Sequence, residues 1–151
     1  MCNCREMEKD GRTKSISMKK YSFQISMKFP ASATKIYALL TQARYIKQWS
    51  GQQGKIQLTV GGKFELFNGW VKGVVLAFQR EKMISVTWKP IEWSAKTQAS
   101  IVTVLLTSYR AETKLQVKHF GFPSKKEANQ HKKGWNQFVF QPLKTYLLYI
   151  E

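Results

Sequence analysis

The sequence predicts an α+β fold in which a curved, antiparallel seven-stranded sheet wraps around one long C-terminal helix. Three observations support this prediction. Short stretches through the middle of the chain alternate apolar with polar residues, which is the period of half-buried strands. The helical period occurs in two short segments after the first strand and in one long C-terminal segment. Successive strands without an intervening helix must pair antiparallel, because parallel pairing needs a long crossover connection.

The chain divides into a leader and one domain. Residues 1–20 mix charges without apolar periodicity, which predicts a flexible leader. Residues 21–151 predict a single domain, since a chain of 151 residues suits one core. The cysteines, Cys2 and Cys4, lie in the leader, so no disulfide staples the domain, and we expect a cytoplasmic protein. Acylation of these thiols is the alternative to their being incidental.

The domain begins with a strand and two short helices. Apolar and polar residues alternate over residues 21–28, and Pro30 ends this strand. Ser32 is a suitable N-cap for a helix over residues 33–41, whose apolar residues form one stripe. A second helical turn is predicted over residues 45–49, before glycines end it.

Six further strands follow, separated by turn residues. Residues 55–60 and 63–67 predict a hairpin around the two-residue turn Gly61-Gly62, and Asn68-Gly69 marks a second hairpin. The remaining predicted strands span 70–79, with a β-bulge at Gly73, and 83–88, 99–109 and 113–120.

The C-terminal segment predicts a long amphipathic helix over residues 127–149. Ser124 and Glu127 have the spacing of a capping box at its start. Pro142 removes a backbone donor within the helix and should kink it. Since one helix must cover the concave face of the whole sheet, the predicted architecture is a helix grip.

The charge is strongly basic. The chain has 25 Lys and Arg against 9 Asp and Glu, a net charge of +16, and residues 11–64 contain no acidic residue. A basic face of this kind attracts nucleic acid, anionic lipid or an acidic protein, and a merely solvated surface is the fourth possibility. Nucleic acid is disfavoured because no RNA- or DNA-recognition motif occurs. No stretch is apolar enough to span a membrane.

The residues with catalytic potential are few. His119 and His131 are the histidines of the chain, and no nucleophile elbow, phosphate-binding loop or metal-binding motif occurs. Glu127 and His131 are four residues apart on one helix face, a spacing that favours helix stabilisation over catalysis. We therefore expect no enzymatic activity, no metal site and no cofactor.

Aromatic residues are abundant, with five Trp, six Tyr and nine Phe. Core packing is the general expectation for each of them. An apolar ligand cavity between sheet and helix is the functional alternative. Trp70 fits core packing less well, because it follows a hairpin turn and is expected to be exposed as an interaction residue.

Several segments, in this order and spacing, resemble one known family. They are Gly-Gly-Lys-Phe-Glu-Leu-Phe-Asn-Gly at 61–69, Val-Lys-Gly at 71–73, Ile-Ser-Val-Thr-Trp at 84–88, Lys-Pro-Ile-Glu-Trp at 89–93, Thr-Lys-Leu-Gln-Val at 113–117, Gly-Phe-Pro at 121–123, and Gly-Trp at 134–135 leading into Leu-Lys-Thr-Tyr at 143–146. Over residues 21–149 the chain resembles the C-terminal-type domain of the activator of heat-shock protein 90 (Hsp90) ATPase homologues. This family belongs to the Bet v 1-like, START-like superfamily (also called SRPBCC).

The resemblance implies that the chain binds Hsp90 and stimulates its ATP hydrolysis by favouring the closed chaperone. In two-domain members another domain supplies the main grip on the chaperone. Without its counterpart here, the domain is expected to bind weakly, to act with another protein or to have a different role.

Two functional hypotheses follow. In the first, the protein is a chaperone regulator whose basic surface meets an acidic partner through Lys63, Trp70 and Lys72. In the second, it binds a small hydrophobic molecule in a cavity under the last helix. The predicted lining of that cavity consists of Trp88, Trp135, Phe138 and Tyr146. A cavity well above about 300 Å³ would favour the second hypothesis.

Overall fold

The computed structural model describes residues 21–149. Predictions for the leader, including acylation of Cys2 and Cys4, lie outside the described residues. The predicted fold class is confirmed, since seven antiparallel strands form one sheet in the order β1-β7-β6-β5-β4-β3-β2. The strands are β1 (Ser22–Phe29), β2 (Lys55–Ile56), β3 (Lys63–Leu66), β4 (Val71–Gln79), β5 (Met83–Pro90), β6 (Ser100–Tyr109) and β7 (Glu112–Phe120).

Two short helices follow β1, as predicted. The first, α1, spans Ala33–Thr41, and the Ser32 hydroxyl accepts a hydrogen bond of 3.1 Å from the Lys35 N–H. The second, α2, spans Ala43–Ser50 and ends at Gly51, whose φ of 76° is left-handed. Trp49 joins the two helices, because its indole N–H donates to the Leu39 carbonyl at 2.7 Å.

The hairpin predicted around Gly61-Gly62 has a longer loop than expected. Strand β2 ends at Ile56, and residues 57–62 form the connection. The reason is that this loop bonds to β4: the Gly61 N–H donates to the Val75 carbonyl, and the Val75 N–H donates to the Gly62 carbonyl, both at 2.8 Å. These residues are therefore held by the neighbouring strand as well as by a turn one residue earlier than predicted, in which the Gly62 N–H donates to the Thr59 carbonyl at 2.8 Å.

The prediction of a bulge at Gly73 is wrong. The register of β4 against β5 shifts between Val75 and Ala77 instead. Gly73 is required for a different reason, since a Cβ at this position would collide with the Thr87 carbonyl oxygen on β5.

The C-terminal helix has three parts. Helix α3 (Lys125–Trp135) is followed by a π-helical segment (Asn136–Phe140) and by α4 (Gln141–Tyr149). The Ser124 hydroxyl accepts from the Glu127 N–H at 3.1 Å, which is the predicted cap. The π-helical segment precedes Pro142, which has no N–H for the Phe138 carbonyl, so the ladder widens and Gln141 bonds to the Asn136 carbonyl.

The core changes character along β5, β6 and β7. An aliphatic region consists of Ile84, Val86, Val102 and Leu115, all buried on the inner face. Toward the other end of these strands lies an aromatic region. It consists of Trp88, Trp93, His119, Phe122, His131 and Trp135, whose rings contact one another with centroid distances of 4.3 to 6.2 Å.

Candidate functional site

A cavity of about 330 Å³ lies beside the aromatic region. Helix α3, the end of β5 and the turn between β3 and β4 surround it. This volume is near the lower end of the range of small-molecule sites. Five of its lining residues are phenylalanines or tryptophans, namely Phe67, Trp70, Trp88, Trp135 and Phe138.

The turn between β3 and β4 positions one wall of the cavity. Phe67 and Asn68 have φ values of 55° and 57°, and Gly69 has 85°, so three successive residues are left-handed. The Asn68 side chain stabilises the turn by accepting from the Gln53 N–H at 2.8 Å. This backbone brings the Phe67 and Trp70 rings to the cavity, where their centroids are 6.2 Å apart.

Two carboxylates also line the cavity, and each is held by an indole. The Trp70 N–H donates to Glu92 Oε2 at 2.7 Å, and the Trp93 N–H donates to Glu127 Oε1 at 3.2 Å. The first carboxylate is exposed and the second is half-buried. No lysine or arginine is among the lining residues. The cavity therefore carries negative charge in a basic protein.

A chain of hydrogen bonds holds the aromatic region together behind the cavity. The Trp135 indole N–H donates to His119 Nδ1 at 3.1 Å. Because an indole only donates, Nδ1 must be unprotonated, so His119 Nε2 carries the proton and donates to Ser100 Oγ at 2.9 Å. Ser100 in turn donates to the Trp88 carbonyl at 2.7 Å. Burial, reinforced by nearby His131, holds the pKa of His119 well below its usual value, so this ring is neutral at pH 7.

His131 lines the cavity, and one of its two ring nitrogens has no hydrogen-bond partner among the described residues. Its Nδ1 lies 3.0 Å from the Glu127 carbonyl, which only accepts, and 3.5 Å from Glu127 Oε1. Nε2 is therefore the unprotonated acceptor of the neutral ring, and it has no partner among the residues that the structure describes. Burial lowers the pKa of His131, while the Glu127 carbonyl, the Glu127 carboxylate and Glu92 oppose this shift.

A second, smaller chamber of about 60 Å³ lies deeper, against the aliphatic region. Trp88, Trp135 and Val139 line both spaces, so these side chains separate them. The two indole rings are 5.3 Å apart between centroids. The Trp88 indole N–H has no hydrogen-bond partner in the described part of the chain.

The predicted cavity residues are only partly brought together. Trp88, Trp135 and Phe138 line the cavity, and Phe138 is 51% exposed at its edge. Tyr146 does not line it. Its hydroxyl instead donates to Gln48 Oε1 at 2.5 Å, joining α4 to α2, because the π-helical segment ends the run of residues that face the cavity.

The predicted partner contacts also separate into two places. Trp70 lines the cavity and is half-buried. Lys63 and Lys72 are exposed on the outer face of the sheet, where they line a shallow groove with Lys55 and Lys89. Whether any of these residues contacts a partner stays a prediction.

The sequence did not predict that Glu92 and His131 line the cavity. The segment Ile91-Glu92-Trp93 after β5 places an acid between large apolar residues, which is the signal that could have indicated a site. The Glu127–His131 pair was recognised, but only as a helix-stabilising contact. Its position depends on how α3 docks against β5 and β7.

No helix within residues 21–149 has the length and apolar character to cross a membrane. Across the same residues, no group of three or more His, Cys, Asp or Glu side chains is placed to hold a metal ion.

Known proteins similar to this chain share both its sequence and its fold. A mouse activator of 90 kDa heat shock protein ATPase homolog 1 is 23% identical over 145 residues, which is 95% of this chain but 42% of the mouse protein. The chain thus spans less than half of that relative. An HSP90 activator from Plasmodium falciparum matches with a TM-score of 0.76 and 28% identity, over 84% of this chain and 96% of that one.

The fold is also found in other proteins. CalU16 from Micromonospora echinospora matches with a TM-score of 0.72 and 21% identity, over 83% of this chain and 75% of that one. At this identity the likeness concerns the fold alone. The family model of the Activator of Hsp90 ATPase homolog 1-like proteins matches residues 30–148, nearly the whole of the described domain. The chain therefore belongs to the family of Activator of Hsp90 ATPase homolog 1-like proteins.

Proposed function

We propose that this chain is a co-chaperone-like protein that binds Hsp90 and stimulates its ATPase. The observation that carries the proposal is the family match over residues 30–148, together with the likeness to the Plasmodium falciparum HSP90 activator. This chain covers 96% of the solved chain of that activator, so the likeness extends over almost the whole of the solved structure.

The outer face of the sheet supplies a surface for an acidic partner. Lys55, Glu65, Lys72 and Lys89 are direct neighbours across β2, β3, β4 and β5, and Lys63 is on the same face of β3 as Glu65. Three lysines against one glutamate in a cross-strand row give a strongly positive stripe. Such a stripe accelerates encounter with an acidic protein surface, and its effect weakens with salt.

The proposed action is binding without catalysis. A co-chaperone of this kind shifts the conformational population of Hsp90 by binding one state more tightly than the other. The environment of His119 supports a non-catalytic role, because both ring nitrogens are engaged in a fully buried hydrogen-bond chain. A cytoplasmic location is part of this proposal.

The test is an ATPase assay with Hsp90 from the same organism. We expect the chain to raise the turnover of Hsp90, and the double variant Lys63→Glu/Lys72→Glu to abolish most of the increase. The matched control is Lys114→Glu/Lys118→Glu, which makes the same charge change at exposed positions of β7. No stimulation and no association at low salt would contradict the proposed function. Equal effects of the two double variants would contradict the proposed surface.

A second candidate function is the binding of a small apolar molecule in the cavity. The aromatic lining of the cavity favours it, while the volume of about 330 Å³ is just large enough for a small molecule. Native mass spectrometry of freshly purified protein should then detect a co-purifying molecule. A cavity that stays empty after exposure to a broad set of aromatic compounds would count against this function.

A further inference from the structure

The cavity offers electron-rich surfaces from several directions. Phe67, Trp70 and Phe138 come from the β3–β4 turn and the π-helical segment, and Trp88 and Trp135 come from β5 and α3. The π-systems of such rings carry a negative face, and tryptophan attracts a cation most strongly. A neutral apolar molecule gains from burial and ring contacts in such a site but not from this attraction for positive charge.

Among the described residues, the charged side chains that line the cavity are all negative. Glu92 and Glu127 line it, while the lysine and arginine side chains of the described domain lie elsewhere. Within residues 21–149, the basic side chain that contacts the Glu127 carboxylate is His131. Its lowered pKa leaves it neutral at pH 7. Among residues 21–149, both carboxylates thus lack a fixed cationic partner, in a protein whose net charge is +16.

Both carboxylates are also held in position. The indole N–H groups of Trp70 and Trp93 each donate to one of them. An oriented carboxylate loses less conformational freedom when it meets a cation. His131, which is 9% exposed and has an unpartnered Nε2, adds a third group with an available lone pair. Binding of a pure hydrocarbon would involve neither the two carboxylates nor the His131 nitrogen.

We propose that the cavity between α3, the end of β5 and the β3–β4 turn binds a small organic cation with an apolar body, such as a quaternary ammonium ion or a protonated arylalkylamine. The cation lies against the rings of Trp70 and Trp88, with Glu92 and Glu127 as its counter-charges. This inference rests on the second candidate function and narrows it to one ligand class. It is independent of the interaction with Hsp90.

The probe is phenyltrimethylammonium, compared with tert-butylbenzene, which has the same shape without the charge. We expect the cation to bind at least about tenfold more tightly by calorimetry. In NMR spectra the indole N–H signals of Trp70, Trp88 and Trp135 should shift. The signal of Trp49 is the internal reference, because its N–H donates to the Leu39 carbonyl away from this cavity.

The variants Glu92→Gln and Glu127→Gln remove one charge each and keep an acceptor oxygen for the indole. Each variant should bind the cation about five- to tenfold more weakly, and its affinity for the neutral probe should be unchanged. Glu112→Gln, at an exposed position in the β6–β7 turn region, makes the same charge change away from the cavity and should have no effect. The indole N–H spectrum of each variant without ligand verifies that it is folded. If Glu127→Gln is misfolded, the test depends on Glu92→Gln alone.

The outcomes separate the two hypotheses. Equal affinity for the two probes, or no loss in Glu92→Gln, would overturn the cation proposal and leave apolar ligand binding intact. No binding of either probe at millimolar concentrations would overturn both. Neither result bears on stimulation of Hsp90, which the ATPase assay measures.

Discussion

Two regions of the same three strands differ in what their side chains do. In the aliphatic region, Ile84, Val102 and Leu115 pack around a chamber of about 60 Å³ and contribute stability by burying hydrocarbon. In the aromatic region, Trp88, Ser100 and His119 continue the same inner face of β5, β6 and β7 with polar groups in a hydrogen-bond chain. The comparison teaches that one end of the sheet forms a closed core and the other end supports a cavity.

The two regions differ in how the removal of a side-chain group destabilises the folded protein. Removing a methyl group from the aliphatic region leaves a void, while removing a polar partner from the aromatic region leaves a buried group without its hydrogen bond. The aromatic region already contains two such groups, Trp88 Nε1 and His131 Nε2, next to the cavity. Four predictions test this division, from the largest expected effect to the smallest.

Leu115→Ala should have the largest effect. The side chain is 1% exposed, so its loss combines lost burial with a new void, and we expect the free energy of unfolding to fall by about 3–4 kcal/mol. Chemical denaturation measures this change. Leu148→Ala, at a position that is 56% exposed, is the matched control and should change it by less than about 1 kcal/mol.

Ser100→Ala tests the hydrogen-bond chain. It leaves the buried Nε2–H of His119 without an acceptor, and we expect a loss of about 2 kcal/mol in the same measurement. Ser85→Ala is the comparison, because its hydroxyl bonds only to the part-buried Thr103 hydroxyl, at 3.1 Å. If the two variants lose equal stability, the chain through His119 is no stronger than an ordinary surface contact.

Acidification should destabilise the protein through His119. Its native pKa lies well below the unfolded value of about 6.5, so below that pH the unfolded state binds more protons. Stability is therefore full above about pH 6.5 and falls as the pH decreases toward the native pKa. The free energy of unfolding should therefore be lower at pH 5.5 than at pH 7.5, and the lowered pKa of His131 adds a loss in the same direction. Denaturation at both pH values measures it, and a slope that is unchanged in His119→Gln would refute the assignment.

Phe138→Ala should have the smallest effect on stability. The ring is 51% exposed at the cavity edge, so we expect a loss below about 1 kcal/mol. Affinity for phenyltrimethylammonium should nevertheless fall severalfold, because one aromatic wall is removed. A stability loss as large as that of Ser100→Ala would show that the cavity edge belongs to the folded core.

Much of the fold could be predicted because strand and helix periods are local. The alternation over residues 21–28 and the cap at Ser124 require only neighbouring residues, and both are present in the structure. The loop at Gly61-Gly62 and the role of Gly73 could not be predicted. Each depends on an adjacent strand, where Val75 bonds to the loop and Thr87 leaves no room for a Cβ.

The candidate site was predicted less completely than the fold. Its position under the last helix, with Trp135 and Phe138, came from the helical period, and Trp88 came from the strand that ends at Pro90. Tyr146 was assigned to it because that period was assumed to continue past Pro142, whereas the π-helical segment interrupts it. Trp70 was assigned to the surface, although the left-handed turn brings it to the cavity.

The sequence by itself therefore determined the order of the elements, the antiparallel pairing, the family and the basic charge, since these depend on local pattern and composition. Only the tertiary structure decided that Ser100, His119 and Trp135 form one hydrogen-bond chain, and that Glu92 and Glu127 share one cavity. The reason is that the partners are far apart in sequence. The hydrogen-bonded pairs are separated by 16 to 19 residues, and the two carboxylates by 35. Such contacts arise from strand register and helix docking, which no local period encodes.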